Sequence, residues 1–252
     1  MPPLSRRAVG RLLVPAALLV LAACGSDNPS GVDSVLSAEE ADAAVGTRTA
    51  SNTRASACNG TLGAVAVADV RVPAGASCTL AGTRVNGNVI VSRDGSLLAS
   101  GARIDGNVQA EDARRVMTES GTVVVGDIQV KRRAEARLMN TIVDGNVQVE
   151  EAGASLIMDD TRVRGDVQVK EAESAVIRGG SVRGNLQLEK NRAALRVSSI
   201  GVSGDFQVFE NLGGVSLIGN RVAQALQCKE NRPAPVGGGN EAGEKEEQCR
   251  AL

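Results

Sequence analysis

Carboxylates, amides and thiols are the groups in this chain whose placement could do chemistry, and its 252 residues contain no His, Trp or Tyr. The lack of His removes the commonest general base and the commonest metal ligand. Asp105 and Asp144 stand at equivalent places two repeats apart, as do Asp127, Asp166 and Asp205 in succession. Two layers apart in a strand stack, such carboxyls would stand about 9.6 Å from one another, the outer limit for an inverting glycosidase pair. The chain offers no aromatic platform for a sugar ring and no insertion to wall a groove, so these Asp are read as turn and ladder residues. No catalytic residue and no cofactor is assigned.

The amides form a clearer pattern. Gln109, Gln129, Gln148, Gln168, Gln187, Gln207 and Gln227 recur at a nearly fixed interval, with Ile90 in the first copy. Such a column can hydrogen-bond amide to amide, or it can present a flat polar face to an extended polymer such as a glycan. Arg114, Arg115, Lys131, Arg132 and Arg133 cluster nearby and read as a solvated charged turn, with contact to an anionic polymer as the second possibility. Among the thiols, Cys58 and Cys78 are separated by this same interval, and Cys228 and Cys249 by very nearly the same. With no CxxC and no His a zinc site is a poor fit, Gly-Gly-x-Gly-x-Asp calcium repeats are absent, and no metal is expected.

What positions these residues is a repeat. Gly87, Gly106, Gly126, Gly145, Gly165, Gly184 and Gly204 each precede Asn or Asp and then an apolar residue, and Gln224 stands where an eighth Gly would fall. Self-similarity at a short fixed period marks a solenoid. Two residues before each Gly stand Val85, Ile104, Val124, Val143, Val163, Val182 and Val202, and Val222 precedes Gln224 in the same way. After it the chain alternates apolar, Gln, apolar, which is strand periodicity. A second apolar column is expected at Leu156, Val176, Leu195 and Val215, giving each repeat at least two strands. No room remains for the helix of a βαβ unit, and all seven Pro lie outside residues 74–232, where a missing N–H would break a ladder.

The expectation is an all-β fold, a single-stranded parallel β-helix over residues 58–231, right-handed, with about nine coils of 19–20 residues. Inward Val, Ile and Leu stacked like on like explain a core holding only Phe206 and Phe209 as aromatics. Glu111, Lys131, Glu150, Lys170 and Glu189 alternate in sign, so neighbouring coils attract and a slip by one coil is penalised. The Cys spacing equals one coil. Of three possible connectivities, Cys58–Cys78 and Cys228–Cys249 alone avoid spanning the shaft, so one disulfide is expected at each end, as suits an exported protein. Residues 232–252, rich in Pro and Gly and then acidic, read as a cap and tail that blocks the last strand edge.

Residues 1–23 read as an export signal, with Arg6, Arg7 and Arg11 before the apolar run 12–23. The cut site Leu21-Ala22-Ala23-Cys24 resembles the bacterial lipobox, which implies lipidation of Cys24 and membrane attachment through that lipid. Gly25 after the Cys resembles an outer-membrane sorting signal in cells with two membranes. Residues 24–57 then form a tether. Loss of residues 1–23 moves the net charge from −1 to −4, which gives no footprint for nucleic acid. The stacked Gly-Asn/Asp-Val repeats resemble those of bactofilins, which implies end-to-end polymerisation; the lipobox and paired Cys depart from that pattern. The functional expectation is a non-catalytic, monomeric envelope lipoprotein whose shaft is a spacer or binding surface, its partner an envelope glycan or protein. A polymerising scaffold is the alternative, and a polysaccharide-active enzyme stands behind both.

Overall fold

Alternation of apolar and polar residues after each Gly produces one four-residue strand per coil: Val108–Glu111, Ile128–Lys131, Val147–Glu150, Val167–Lys170, Leu186–Glu189 and Phe206–Phe209. The computed structural model describes residues 55–252, and every regular element among them is a strand. A corner leads from each four-residue strand into a longer one, such as Arg115–Glu119, Glu135–Met139 or Ser155–Asp159. A second corner leads to a short strand, such as Val123–Val124 or Ile142–Val143, which runs into the next Gly. Three strands therefore make one coil, where the sequence required at least two. All pairing is parallel and advances one coil at a time, with Val108 beside Ile128 and Ile128 beside Val147. The chain is a parallel β-helix.

The long-strand ladder has ten members, from Gly60–Leu62 to Val236–Gly238, so the shaft has about ten coils, one more than the repeats suggested. At about 4.8 Å per coil it is about 48 Å long. The additional coil lies in the segment read as a tail. Val236–Gly238 pairs with Val215–Ile218, and Glu241–Glu247 pairs with Arg221–Lys229. The stack also begins slightly earlier, because Ser56–Ala57 pairs with Val70–Val72. Strand pairing thus spans residues 56–247 rather than stopping at 231. A terminal coil covers the core from one side only, so backbone hydrogen bonding carries it without an apolar alternation.

Inward columns stack in register. Val85, Ile104, Val124, Val143, Val163 and Val182 line one wall, all nearly or fully buried. Val89, Val108, Ile128, Val147, Val167, Leu186, Phe206 and Leu226 line a second. Each such side chain contributes roughly 1.5–3 kcal/mol by leaving water. On the long strands large and small residues complement each other: Ala136 sits under Leu156, and Ala175 above it. This ladder corrects one expectation. Val176 pairs with Ile157 and Arg196 and points outward, while Ala175 and Ile177 are buried. Leu156 stands beside Ala175, not Val176. A coil counted one residue too long exchanges the faces, because side chains alternate with period two.

The Gly column is required by close approach. A Cβ on Gly126 would stand 2.6 Å from the carbonyl oxygen of Gly106. These glycines lie outside the left-handed region, so contact rather than backbone freedom excludes other residues. Beside them runs a second ladder. The Oδ1 of Asn107 accepts the backbone N–H of Asp127 (2.8 Å), Asp127 that of Asn146 (2.7 Å), Asn146 that of Asp166 (2.8 Å), and Asp166 that of Asn185 (2.7 Å). Alternating Asn with Asp keeps carboxylates from facing each other on adjacent coils. At Gln224 no Gly is present, and the chain runs through the corner as the nine-residue strand Arg221–Lys229 with a register shift between Val222 and Ala225.

Two corners are closed by buried amides. Asn191, Asn211, Asn231 and Gln248 form one stack: Asn191 Nδ2 donates to Asn211 Oδ1 (2.9 Å), Asn211 to Asn231 (2.9 Å) and Asn231 to Gln248 Oε1 (3.1 Å). Asn220 and Asn240 form the other (2.8 Å). The two disulfides join Cys58 to Cys78 and Cys228 to Cys249, with Cα separations of 5.5 and 5.2 Å. Cys228 replaces an aliphatic residue in the inward column of Val208, so its bridge lies within the core end. Leu252 packs against that core, and Lys245 Nζ donates to a main-chain oxygen of Leu252.

Candidate ligand-binding face

The outward residue of each four-residue strand is the Gln of the column, held in line because successive strands pair residue for residue. Gln109 faces Gln129, Gln129 faces Gln148, Gln148 faces Gln168, and so on to Gln227. The column divides into halves. Gln187 Nε2 donates to Gln207 Oε1 (3.0 Å), Gln207 to Gln227 (3.1 Å), and Gln227 to Glu246 Oε1 (3.1 Å). Gln109, Gln129, Gln148 and Gln168 make no side-chain hydrogen bond among the described residues. Amide stacking is thus realised at the C-terminal end, while the N-terminal amides keep their donors and acceptors free.

The free half borders a cleft of about 730 Å³. Ile90, Gln109 and Gln129 line it; Ile90 pairs with Gln109 and is 38% exposed. Short side chains open it. Ser92 occupies the position that carries Glu111 and Lys131 on the following coils, so the column of long charged residues ends in a step. Arg132 also lines the cleft, with Nε 3.0 Å from Glu151 Oε2 and a guanidinium nitrogen against Glu111. Arg93 lies 3.8 Å from Asp112. The lining carries three cations, Arg93, Lys131 and Arg132, and three anions, Glu111, Asp112 and Glu151. The cleft is therefore electrically balanced.

The alternating charge column is in register, with Glu111 beside Lys131, Lys131 beside Glu150 and Lys170 beside Glu189. Lys131 Nζ lies 3.3 Å from Glu150, and Lys170 Nζ lies 3.8 Å from Glu189. The basic cluster is largely neutralised by its neighbours. Arg115 Nε donates to Glu135 (2.8 Å), Arg132 is shared by Glu111 and Glu151, and Arg133 lies 3.8 Å from Asp112. Arg114 is exposed and has no ion pair among the described residues. Burial pushes the Glu135 carboxyl up, but hydrogen bonds from Arg137 and Arg115 outweigh it and hold the group below its ordinary 4.5.

The carboxylates considered for sugar chemistry have other partners. Asp105 is gripped by Arg84 (2.9 Å) and Arg103 (2.7 Å), and Asp144 lies 2.8 Å from Arg164. Asp127, Asp166 and Asp205 accept backbone N–H groups from the next coil. Cys24 lies outside the described residues. Ile90 and Ser92 were not singled out as a site from sequence, although Ile90 is visible there as the residue that stands in the Gln position of the first copy. The buried Asn ladders were also missed; Asn at 191, 211 and 231, and again at 220 and 240, is the signal that reveals them.

No protein-family model matches this chain, and no curated protein and no solved structure is significantly similar to it.

Proposed function

We propose that this is an exported lipoprotein, anchored through lipid on Cys24, whose rigid β-helix holds a polar face away from the membrane as a non-catalytic spacer and binding surface. The observation that carries the reading is the in-register Gln column on a shaft closed by a disulfide at each end. Its C-terminal amides are engaged with one another, and its N-terminal amides, from Gln109 to Gln168, are left to face outward. The disulfides suit an oxidising compartment. The residues that read as an export signal and lipobox support the address, and the ion pairs of Asp105 and Asp144 with Arg support a structural role for both.

The C-terminal end bears on the subunit state. The last coil carries Glu241, Glu244, Glu246 and Glu247, and the turn through Cys249 folds Leu252 against the core. A net acidic edge and a covered core disfavour end-to-end addition there, which supports a monomeric state. Expression of the full chain in a bacterial host tests the anchor: palmitate labelling and partition into the detergent phase are expected, and both are lost with Cys24→Ala. Filaments of the purified protein in negative stain would instead support the polymerising scaffold.

A further inference from the structure

We propose that the cleft over Ile90, Gln109 and Gln129 is a seat for an uncharged glycan strand lying along the shaft axis. This rests on the reading of the shaft as a binding surface and names the class of ligand. The first argument is the division of the Gln column. Where Gln187, Gln207 and Gln227 donate along the column, their amides are already engaged by the shaft. Gln109 and Gln129 retain two donors and an acceptor each, the set that hydroxyl groups and acetamido groups of a sugar match.

Charge narrows the class further. The lining holds equal numbers of cations and anions, and Arg132 is engaged on two sides by Glu111 and Glu151. A polyanion would have to displace Glu111 or Glu151, and a polycation would have to displace Arg132. A neutral strand displaces neither and can hydrogen-bond to the outer edges of both. Ile90, exposed between Arg71 and Gln109 in the same outward column, offers the C–H face of one ring an apolar contact. That contact stands in for the aromatic platform the chain lacks.

Geometry fits an extended polymer rather than a compact ligand. The cleft's lining spans successive coils, from Ile90 through Gln109 to Gln129, and its volume lies within the range of ligand sites. Successive amides repeat at about 4.8 Å, the coil height, which is comparable to the advance of one sugar unit, so Gln109 and Gln129 can meet neighbouring rings of an extended strand. Strand pairing fixes the backbone beneath the amides, so binding has only the Gln side chains left to order.

Titration calorimetry of the full chain in detergent tests this, with cellohexaose and chitohexaose as neutral probes and hexagalacturonate as the anionic one. A neutral hexamer is expected to bind one to one, and hexagalacturonate at least about tenfold more weakly. Gln129→Ala removes up to three hydrogen bonds and should weaken binding about tenfold or more. Ile90→Gln, which only continues the existing column and should fold normally, is expected to weaken it severalfold. Gln207→Ala lies in the self-paired half and should leave affinity within about twofold while lowering the thermal midpoint. Tighter binding of hexagalacturonate, an equal loss with Gln207→Ala, or no binding of either neutral hexamer at millimolar concentration would overturn the proposal. None of these outcomes touches the anchor, which Cys24→Ala tests separately.

Discussion

The Oδ1 of Asp127 accepts the backbone N–H of Asn146 at 2.7 Å, one coil further along, and the same oxygen crowds the site beside it, Gly145. A Cβ there would stand 2.6 Å from the Gly126 carbonyl oxygen and closer still to Asp127 Oδ1. One hydrogen bond thus ties the identity of two neighbouring residues together, and the pairing repeats along the shaft.

Gly145→Ala should therefore destabilise the shaft by about 3 kcal/mol, because the obstructing atoms are backbone and an engaged carboxylate that cannot swing aside. Asp127→Ala should cost about 1–2 kcal/mol through the orphaned Asn146 N–H. Urea unfolding of both variants measures the order; a milder effect at Gly145 than at Asp127 would contradict it.

The buried amide stack is expected to be more sensitive than the exposed one. Asn211 accepts from both the backbone N–H and the Nδ2 of Asn191, and donates to the Leu188 carbonyl (2.9 Å). Asn211→Ala leaves several buried polar groups unpaired and should cost about 3 kcal/mol or more. Gln207→Ala, half-buried on the surface, should cost no more than about 1 kcal/mol. Parallel denaturation curves decide between them.

Each disulfide closes a loop one coil long and should contribute about 3 kcal/mol by restricting the unfolded chain. The bridges lie at opposite ends, so the losses from Cys78→Ser and Cys228→Ser should add. Thermal scans with and without reductant test this, and an unchanged midpoint would count against a stabilising role.

Glu135 supplies a pH dependence. Its carboxyl is raised by burial, but Arg137 and Arg115 outweigh that effect and hold it below 4.5. A depressed folded value means the stabilisation is complete above the unfolded value of 4.5 and is lost as pH falls through the lower folded value. Glu135→Gln should flatten that part of the acid limb by less than about 1 kcal/mol, since the group lies near solvent. Stability of the two proteins compared at neutral pH and at pH about 3 reads the difference.

Much of the architecture was legible because a solenoid repeats its local chemistry. The Gly-Asn/Asp-apolar triplets, the Val two residues earlier and the Gln column located one strand in each coil and its outward face. The Cys spacing, equal to one coil, located both bridges. The long strands were harder to place. Their inward column mixes Leu, Val and Ala, so the outward Val176 looked more core-like than the inward Ala175 beside it, and only the pairing of Leu156 with Ala175 assigns the faces. The last coil was hidden for a different reason. Glu241–Glu247 is held by backbone hydrogen bonds to Arg221–Lys229, and backbone bonding leaves no mark in side-chain periodicity.

From sequence alone, the period, the parallel stacking, the charge alternation and the amide column were determined, because each depends on residues one coil apart adopting the same conformation. Which amides engage each other and which stay free was decided only in three dimensions. It depends on side-chain torsions and on the step that Ile90 and Ser92 leave beside Gln109. Those are relations between neighbouring coils, and residue types arranged along a line do not contain them.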